Sequence, residues 1–346
     1  MPGSDSPYDD QFTPLPVWHP VVSVATPGVL ARLALFCCGM IPLVGFLSGC
    51  GGIYACPSCQ THPSLASVSM VSADEGWAVG IQASGGIIVH YQGGQWSPVQ
   101  IPDGAAPLAS IDMLSASEGW SVGQQGTILH YRDGLWSKDT SPTSSDLRSV
   151  SMVSPTEGWA VGPTVMLHYT NSEWTPVQPI ASLVSVAMDS ASDGWAVGNE
   201  AIAHYHNGAW TTVTPSYPLT GIMLISVVMA SPSEGWAIGN TYPMTEPGGP
   251  PVILQYRNGQ WQLANSPLTT QDTLTAIALS SPEEGWAMGT DGEASVILHY
   301  TKQNGWIRVT TPLKIAFHGV SMVSPTDGWA VGEGNNFVQY EDGAWC

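Results

Sequence analysis

The stretch that decides the fold is Arg148 to Gly162, RSVSMVSPTEGWAVG, together with the segment LHYTNSEW that follows it as far as Trp174. It combines an alternating apolar run, a polar turn and a Gly-Trp pair, and then a second apolar run that ends in Tyr. The same pattern occurs seven times. The other copies are ASVSMVSADEGWAVG (66–80), ASIDMLSASEGWSVG (109–123), VSVAMDSASDGWAVG (184–198), ISVVMASPSEGWAIG (225–239), TAIALSSPEEGWAMG (275–289) and HGVSMVSPTDGWAVG (318–332).

Tryptophan marks each copy twice, and 14 of the 15 Trp residues of the chain fall on these two marks. The spacing along the first mark runs from 36 to 50 residues. A period of this length with internal strand signals indicates a propeller or another repeat array. The first mark comprises Trp77, Trp120, Trp159, Trp195, Trp236, Trp286 and Trp329, and the second comprises Trp96, Trp136, Trp174, Trp210, Trp261, Trp306 and Trp345.

Each copy divides into four short runs of strand type separated by turn residues. In the third copy these are 149–153, 159–161, 165–169 and a run that starts at Trp174. Four short antiparallel strands cannot bury both faces alone and must stack on a copy of themselves. The sequence therefore predicts an all-β fold, a seven-bladed β-propeller over 66–346, whose four-stranded blades begin near 66, 109, 148, 184, 225, 275 and 318.

The repeated aromatic and imidazole side chains are expected to be structural. A Trp that recurs at the same place in every blade is filler between blades, whereas a sugar-binding platform would make one blade differ. His90, His130, His168, His204 and His299 align before the Tyr of the third strand, but copies five and seven carry Gln255 and Gln339 there. Gln binds metals poorly, and radial symmetry spreads these positions apart. We therefore predict no metal site on these positions, no cofactor and no catalytic residues.

The GWAVG element and the Asp-Gly-x-Trp turns at 133–136 and 342–345 resemble two propeller groups. One group is the photosystem II assembly-factor-like propellers, and the other is the BNR or Asp-box repeats of sialidase-like propellers. The resemblance covers about 66–346, and it implies a fold more than a function. Sialidases bind a carboxylate with three converging Arg, and the assembly factors are associated with a basic patch. The propeller has Arg132, Arg148, Arg257 and Arg308 in unlike positions, so neither feature is expected.

Composition restricts the partner class. The chain of 346 residues carries 27 acidic and 8 basic residues, a net charge of −19, so nucleic acid is not an expected partner. Charged residues make up 10% of the chain, and Gly and Pro are abundant, as in many secreted β-proteins.

The N-terminal region is predicted to hold an export or anchoring signal. Residues 1–27 are polar and Pro-rich, and we expect them to be disordered. Residues 28–50 are mainly apolar and end in Leu47-Ser48-Gly49-Cys50, which matches a bacterial lipobox with Cys50 as the lipidated residue. An uncleaved anchor helix is the alternative, since about 20 residues span a bilayer. Both readings place the propeller on the extracytoplasmic face of a bacterial cell envelope.

Residues 51–65 link this region to the first blade and contain Cys56 and Cys59. The seventh copy stops at Trp345-Cys346, before a full fourth strand, so residues 54–62 are expected to complete that blade. Such closure would bring Cys56 or Cys59 near Cys346, and one disulfide is expected in an oxidising compartment. A local Cys56–Cys59 pair is the rival.

Binding is expected on the face where the copies differ. First-to-second and third-to-fourth turns share one face of a propeller, which would carry a ring of acidic residues assigned to turn capping or, alternatively, to a cation-attracting rim. The ring is Glu75, Glu118, Glu157, Asp193, Glu234, Glu284 and Asp327. The other face carries the connectors between blades and the insertion 240–250, and its candidate binding residues are Tyr217, Met223, Tyr242, Met244 and Glu246.

The sequence thus favours a membrane-tethered, non-enzymatic binding or assembly scaffold, monomeric, with a protein or a glycan of the envelope as partner. A sialidase-like glycan hydrolase is the alternative, and it would need a pair of Asp or Glu residues flanking a pocket.

Overall fold

The computed structural model describes residues 63–242 and 249–346, and these form seven four-stranded antiparallel sheets. Each sheet consists of four strands that follow one another in the chain, so each copy of the repeat is one blade. The prediction of a seven-bladed β-propeller is confirmed. Within the described ranges the only helices are two 3-10 turns, and no helix is long and apolar enough to cross a membrane.

The strands are numbered in chain order, four to a blade. Blades one to four comprise β1 (Ser64–Ser72), β2 (Glu75–Gln82), β3 (Gly85–Gln92), β4 (Gln95–Pro98), β5 (Leu108–Ser115), β6 (Glu118–Gly123), β7 (Ile128–Arg132), β8 (Leu135–Lys138), β9 (Ser149–Ser154), β10 (Glu157–Gly162), β11 (Val165–Thr170), β12 (Glu173–Val177), β13 (Leu183–Ser190), β14 (Asp193–Gly198), β15 (Ala201–His206) and β16 (Ala209–Thr212). Blades five to seven comprise β17 (Ile222–Ser231), β18 (Glu234–Thr241), β19 (Val252–Arg257), β20 (Gln260–Leu263), β21 (Thr273–Ser281), β22 (Glu284–Thr290), β23 (Ser295–Thr301), β24 (Gly305–Arg308), β25 (Phe317–Ser324), β26 (Asp327–Gly332), β27 (Phe337–Glu341) and β28 (Ala344–Trp345). The 3-10 turns are Gln124–Gly126 and Glu333–Asn335.

The second strand of each blade is its most buried element, because it has a sheet neighbour on either side and a blade against each face. In β10, every residue from Gly158 to Gly162 is buried. The two glycines of this element serve close packing. A Cβ on Gly76 would lie 2.2 Å from Sδ of Met70, and one on Gly80 would lie 2.1 Å from the carbonyl oxygen of Ser64. The GWAVG element therefore keeps glycine at both ends because the neighbouring first strand leaves no room there for a Cβ atom.

Aromatic side chains join each blade to the next. The first-mark Trp residues are all at most 2% exposed. Trp159 packs against Tyr205 of the following blade, at a ring-centroid distance of 5.0 Å, and meets Trp210 edge-on at 5.4 Å. The core clusters accordingly span pairs of adjacent blades rather than single blades. The placement of the Trp residues as packing between blades agrees with the sequence-based expectation.

The innermost strands are connected by side-chain hydrogen bonds that the repeat also encodes. The backbone N–H of Met113 donates to Ser69 Oγ of the preceding blade, and that of Met188 donates to Ser151 Oγ, both at 3.1 Å. A first strand has no sheet neighbour on its inner side, so these serine hydroxyls satisfy edge N–H groups. In blade two the position is Asp112, whose Oδ2 accepts from Met152 N at 2.6 Å. Burial raises the pKa of this carboxyl to about 6.

Blade seven packs directly on blade one. Met70 N donates to Ser321 Oγ at 3.1 Å, and Trp96 of blade one stacks on Phe337 at 4.4 Å and lies edge-on to Trp329 at 5.4 Å. The same joint that links the other blades therefore closes the ring.

The C-terminus itself starts the fourth strand of blade seven. β28 has two residues, and Cys346 extends its pairing through two backbone hydrogen bonds with Gln339, each 2.8 Å. Cys346 is disulfide-bonded. All other cysteines, including Cys56 and Cys59, lie outside the described residues, as do the predicted tail, signal and closing segment over 1–62. The identity of the bonded cysteine and the contribution of 54–62 therefore stay predictions.

Candidate functional site

The connector face, which carries the links between blades, has an irregular region at blades four and five. Tyr217 lies in the link between β16 and β17 and packs in the core cluster of these two blades. Met223 belongs to β17, where it pairs with Asn240 and bridges to Asn199 of blade four, so its expected place in a connector loop is wrong. Tyr242 follows β18 and is exposed, whereas Met244 and Glu246 lie outside the described residues.

A cavity of about 280 Å³ opens in this region. Its walls are one end of β15 and the connector 212–220, including Ile202, Val213, Tyr217 and Leu219, with Glu200 at the edge. The Glu200 carboxylate accepts a hydrogen bond from Gly221 N at 2.7 Å.

Backbone contacts hold the connector in place. Ser216 N donates to the carbonyl oxygen of Trp261 at 3.0 Å, and Tyr242 N donates to that of Gly221 at 2.7 Å. The cavity is therefore fixed by blade five as well as by blade four. A cavity that exists before a ligand arrives reduces the entropy lost on binding.

Exposed apolar side chains also lie on the connector face. Tyr242 is 47% exposed and Leu263, at the end of β20, is 48% exposed. Ile180, in the link that leads into blade four, is also exposed. Apolar side chains grouped on one face favour an interaction surface over scattered surface residues.

The opposite face, formed by the tight turns, carries the acidic ring, whose carboxylates bind the third strand of their own blade. His90, His130, His168, His204 and His299 each donate Nε2–H to the acidic residue of their blade, at 2.5–3.2 Å. In blade five, Gln255 Nε2 donates to Glu234 at 3.5 Å. Each of the five imidazoles also stacks on the first Trp of its blade at 4.0–4.2 Å.

Turn capping, the role first assigned to these acids, belongs to serine instead. In every blade the residue two places after the last Ser of the first strand donates its backbone N–H to that Ser hydroxyl, at 3.2–3.3 Å. In the five blades that carry the histidine, the Trp, the His and the acidic residue form one stacked and hydrogen-bonded unit. The sequence showed all three aligned in the repeat, and the alternation of strand residues would have placed them on one face.

Blade four departs from this pattern at its acidic residue. Asp193 Oδ2 accepts hydrogen bonds from His204 Nε2 at 3.2 Å and from His206 Nδ1 at 2.9 Å. Asp189 lies close by, and burial together with the charge of Asp193 raises the pKa of the Asp189 carboxyl to about 6. Sequence reasoning considered His204 but passed over His206 and Asp189.

The centre of the ring encloses a cavity of about 310 Å³ lined by the first strands. Small and hydroxyl side chains such as Ser110, Ser149 and Ser185 form most of its wall, with Arg148 and His318 as its only charged or titratable residues in the described part of the chain.

The arginines do not converge. Arg132 pairs with Glu118, Arg148 with Asp146, and Arg308 with the buried Asp272. These pairs lie in blade two, next to blade three and in blade six. Arg257 ends β19 in blade five, so the four propeller arginines lie in different parts of the ring.

No family model matches the sequence, and no curated protein sequence matches it. Solved structures match over most of the chain. The structure "YCF48 bound to D1 peptide" has a TM-score of 0.65 at 18% identity, and it covers 84% of this chain and 94% of its own. YCF48 from Cyanidioschyzon merolae has a TM-score of 0.63 at 15% identity, with coverage of 84% and 98%.

Other propellers are similar to nearly the same degree. An extracellular domain from B. thetaiotaomicron, of a protein described as a one component system, has a TM-score of 0.62 at 12% identity and covers 84% of this chain and 39% of its own. The WD40 propeller of Doa1 has a TM-score of 0.63 at 13% identity, with coverage of 84% and 97%. At such identities the similarity establishes the fold alone.

Proposed function

We propose that this protein is a non-enzymatic binding propeller that recognises a protein segment on its connector face at blades four and five. The observation that carries this proposal is the cavity beside Tyr217, together with the exposed Tyr242 and Leu263 on the same face. Regular blades hold this irregular surface in place, which is the usual division between a scaffold and its binding loops.

The chemistry of the surface fits a peptide with apolar side chains. An anchor side chain can enter the cavity between Ile202 and Leu219, while Tyr242 offers an aromatic surface with a polar tip. Aromatic residues at such positions often contribute much of the binding energy of an interface. The peptide-bound state of YCF48 supports a protein partner for a propeller of this shape.

Support for binding over glycan hydrolysis comes from the central cavity. Neither Asp nor Glu is among its lining residues in the described ranges, and a hydrolase of the usual type places two carboxyl groups about 5–9.5 Å apart across its pocket. Three of the four propeller arginines are also paired with carboxylates of the chain in separate parts of the ring.

The proposed place of action is the extracytoplasmic face of a bacterial membrane, where the chain is tethered through Cys50. The lipobox-like Leu47-Ser48-Gly49-Cys50 after an apolar run supports this tether. Mass spectrometry of the membrane-extracted protein should then find lipidated Cys50 as the first residue. Recovery of peptides from 1–30 would instead favour the anchor helix.

The binding site can be tested by site-specific photo-crosslinking in envelope extracts. A photoreactive amino acid replaces Tyr242 in one variant and Leu135 in the control. Leu135 is 75% exposed but lies on the opposite face. We expect one protein to be labelled from position 242 and not from 135.

Affinity then quantifies the contact. The double variant Tyr242→Ala, Leu263→Ser should bind the labelled partner at least about tenfold more weakly than wild type or Leu135→Ser, which corresponds to about 1.4 kcal/mol. Equal labelling from both positions, or binding to a glycan array that the double variant leaves unchanged, would refute the proposal.

A further inference from the structure

Blade four is unlike the other six at two positions on its turn face. The residue two places after the third-strand His is His206, and its counterparts are Gln92, Arg132, Thr170, Arg257, Thr301 and Glu341. The residue in the bulge of the first strand is Asp189, and its counterparts are Val71, Leu114, Val153, Ala230, Ser280 and Val323. The first position varies from blade to blade, whereas the second is acidic in blade four alone among the seven blades.

Strand geometry brings His206 together with His204 and Asp193. Asp193 and His206 are directly opposite each other in the ladder of β14 and β15, and His204 is two residues before His206 on the same face. The donor atoms of these three residues all lie within 4.8 Å of one another. They form the only such cluster of His, Cys, Asp or Glu found between 63 and 242 or 249 and 346.

Asp193 and the neighbouring Asp189 each have a carboxylate oxygen that accepts no hydrogen bond. Oδ1 of Asp193 and Oδ2 of Asp189 are both buried and have no hydrogen-bond partner. A buried carboxylate oxygen without a partner is costly, and a bound cation removes that cost. The two carboxylates together supply the negative charge that would attract a cation to this point.

We propose that Asp193, His204 and His206 form a surface site for a divalent transition-metal ion of the zinc class. Two imidazoles and a carboxylate are a usual donor set for such ions, and zinc-to-nitrogen and zinc-to-oxygen distances near 2.0–2.2 Å place tetrahedral ligands roughly 3.3 Å apart. The present separations of 3.2 Å and 2.9 Å from Asp193 Oδ2 to the two imidazoles need only a small adjustment.

The surroundings of the site suit this role. His204 stacks on Trp195 at 4.0 Å with an interplanar angle of 8°, which fixes the plane of its ring. The His206 side chain is 57% exposed, so an ion can enter from solvent. Three protein ligands leave one position for water or for a side chain of a partner. The site lies on the face opposite the proposed peptide surface and is independent of it.

Blade seven is a natural comparison. It also has an Asp at the ring position, Asp327, and Oδ1 of that residue is likewise buried without a hydrogen-bond partner. Its third strand carries Gln339 and Glu341 instead of two histidines, so it lacks the imidazole donors. The difference between the two blades isolates His204 and His206 as the feature that makes blade four a metal site.

The test is zinc binding by the full chain, purified in detergent, with any affinity tag removed and free thiols alkylated. Alkylation removes cysteine as a competing ligand. Zn²⁺ stoichiometry is measured by equilibrium dialysis with elemental analysis, and affinity by calorimetry. The variant His206→Gln places the blade-one residue in blade four. The control His90→Gln removes the equivalent of His204 from blade one, which has no third donor.

Wild type and His90→Gln should each bind one equivalent of Zn²⁺. His206→Gln should bind more than about 100-fold more weakly, since loss of outer-shell partners alone costs about 10–100-fold. Co²⁺ should give visible absorption bands in wild type that His206→Gln lacks, while near-ultraviolet circular dichroism shows that the variant is folded. Wild type that binds no Zn²⁺, or His206→Gln that binds it as tightly as wild type, would overturn the proposal.

Discussion

Replacement of Asp112 by Ser is expected to stabilise the propeller, and to do so only as the pH rises above about 4. Asp112 occupies a position that is Ser69, Ser151 and Ser321 in blades one, three and seven. A serine hydroxyl there accepts the same backbone hydrogen bond from the next blade without a charge. The substitution therefore keeps the contact and removes the buried carboxylate.

The magnitude follows from the pKa of Asp112. Burial raises it from 3.8 to about 6 in the folded protein, a difference of about 2 pH units. At about 1.4 kcal/mol per unit, the ionised carboxylate costs roughly 3 kcal/mol of folding free energy above pH 6. This figure is an upper limit because the residue as a whole is only half-buried and water screens part of the charge.

The sign of the pH dependence is fixed by linkage. Because the pKa is higher in the folded state, the folded protein holds this proton more tightly, and stability falls as pH rises from about 4 to about 6. Asp112→Ser should match wild type near pH 4 and exceed it by up to about 3 kcal/mol near pH 8. Urea denaturation monitored by Trp fluorescence across this pH range measures the difference.

A mirror variant serves as the control. Ser151→Asp introduces a carboxylate at the corresponding place in blade three, where Met188 N is the donor. Relative to wild type, Ser151→Asp should become less stable as the pH rises from about 4 to about 8, whereas Asp112→Ser should become more stable over the same range. A stability difference that does not change with pH, or an Asp112→Ser variant that is less stable at pH 8, would refute the reasoning.

Three further predictions concern the blade joints and the C-terminus. Trp159→Ala should cost about 3–5 kcal/mol of unfolding free energy by denaturation, because a buried side chain that joins two blades is lost, and a cost below 1 kcal/mol would contradict its packing role. His168→Gln should cost little, since blades five and seven use Gln there, whereas His168→Leu should cost about 1–3 kcal/mol by leaving Glu157 without its partner; equal costs would argue against the hydrogen bond. Non-reducing peptide mapping should recover Cys346 joined to Cys56 or Cys59, and full alkylation of Cys346 in the native, unreduced protein would contradict this.

Much of the fold can be predicted from the sequence because the same pattern of strand and turn residues occurs seven times. Alternation, turn residues and the two Trp marks each indicate the strands, and their agreement across the copies removes the ambiguity of any one segment. The prediction went wrong at Met223 because β17 is longer than the other first strands and starts within the stretch read as a connector. Strand ends depend on pairing partners, and these are not visible along the chain.

The candidate sites were less accessible to sequence reasoning. The cavity beside Tyr217 depends on how the connector folds back on blades four and five, and no local pattern encodes that path. The position of His206 varies among the copies, so the signal in the sequence was the pairing of two histidines, His204 and His206, on one face of a single strand. The prediction of turn capping was wrong because the pairing of strands two and three places five of the seven carboxylates beside an imidazole, and Glu234 beside Gln255.

The aromatic joints also give the molecule an optical reporter of its own closure. Five pairs of indoles meet edge-on across blade boundaries at 5.3–5.4 Å, close enough for their electronic transitions to couple. Such coupling gives paired bands of opposite sign in the far-ultraviolet circular dichroism spectrum, and it is lost when two blades separate. The pair of Trp96 and Trp329 spans the boundary between the last blade and the first. The circular dichroism band that is lost in Trp329→Phe therefore reports the contact between blades one and seven. It shows whether the ring is open or closed at that boundary without any added label.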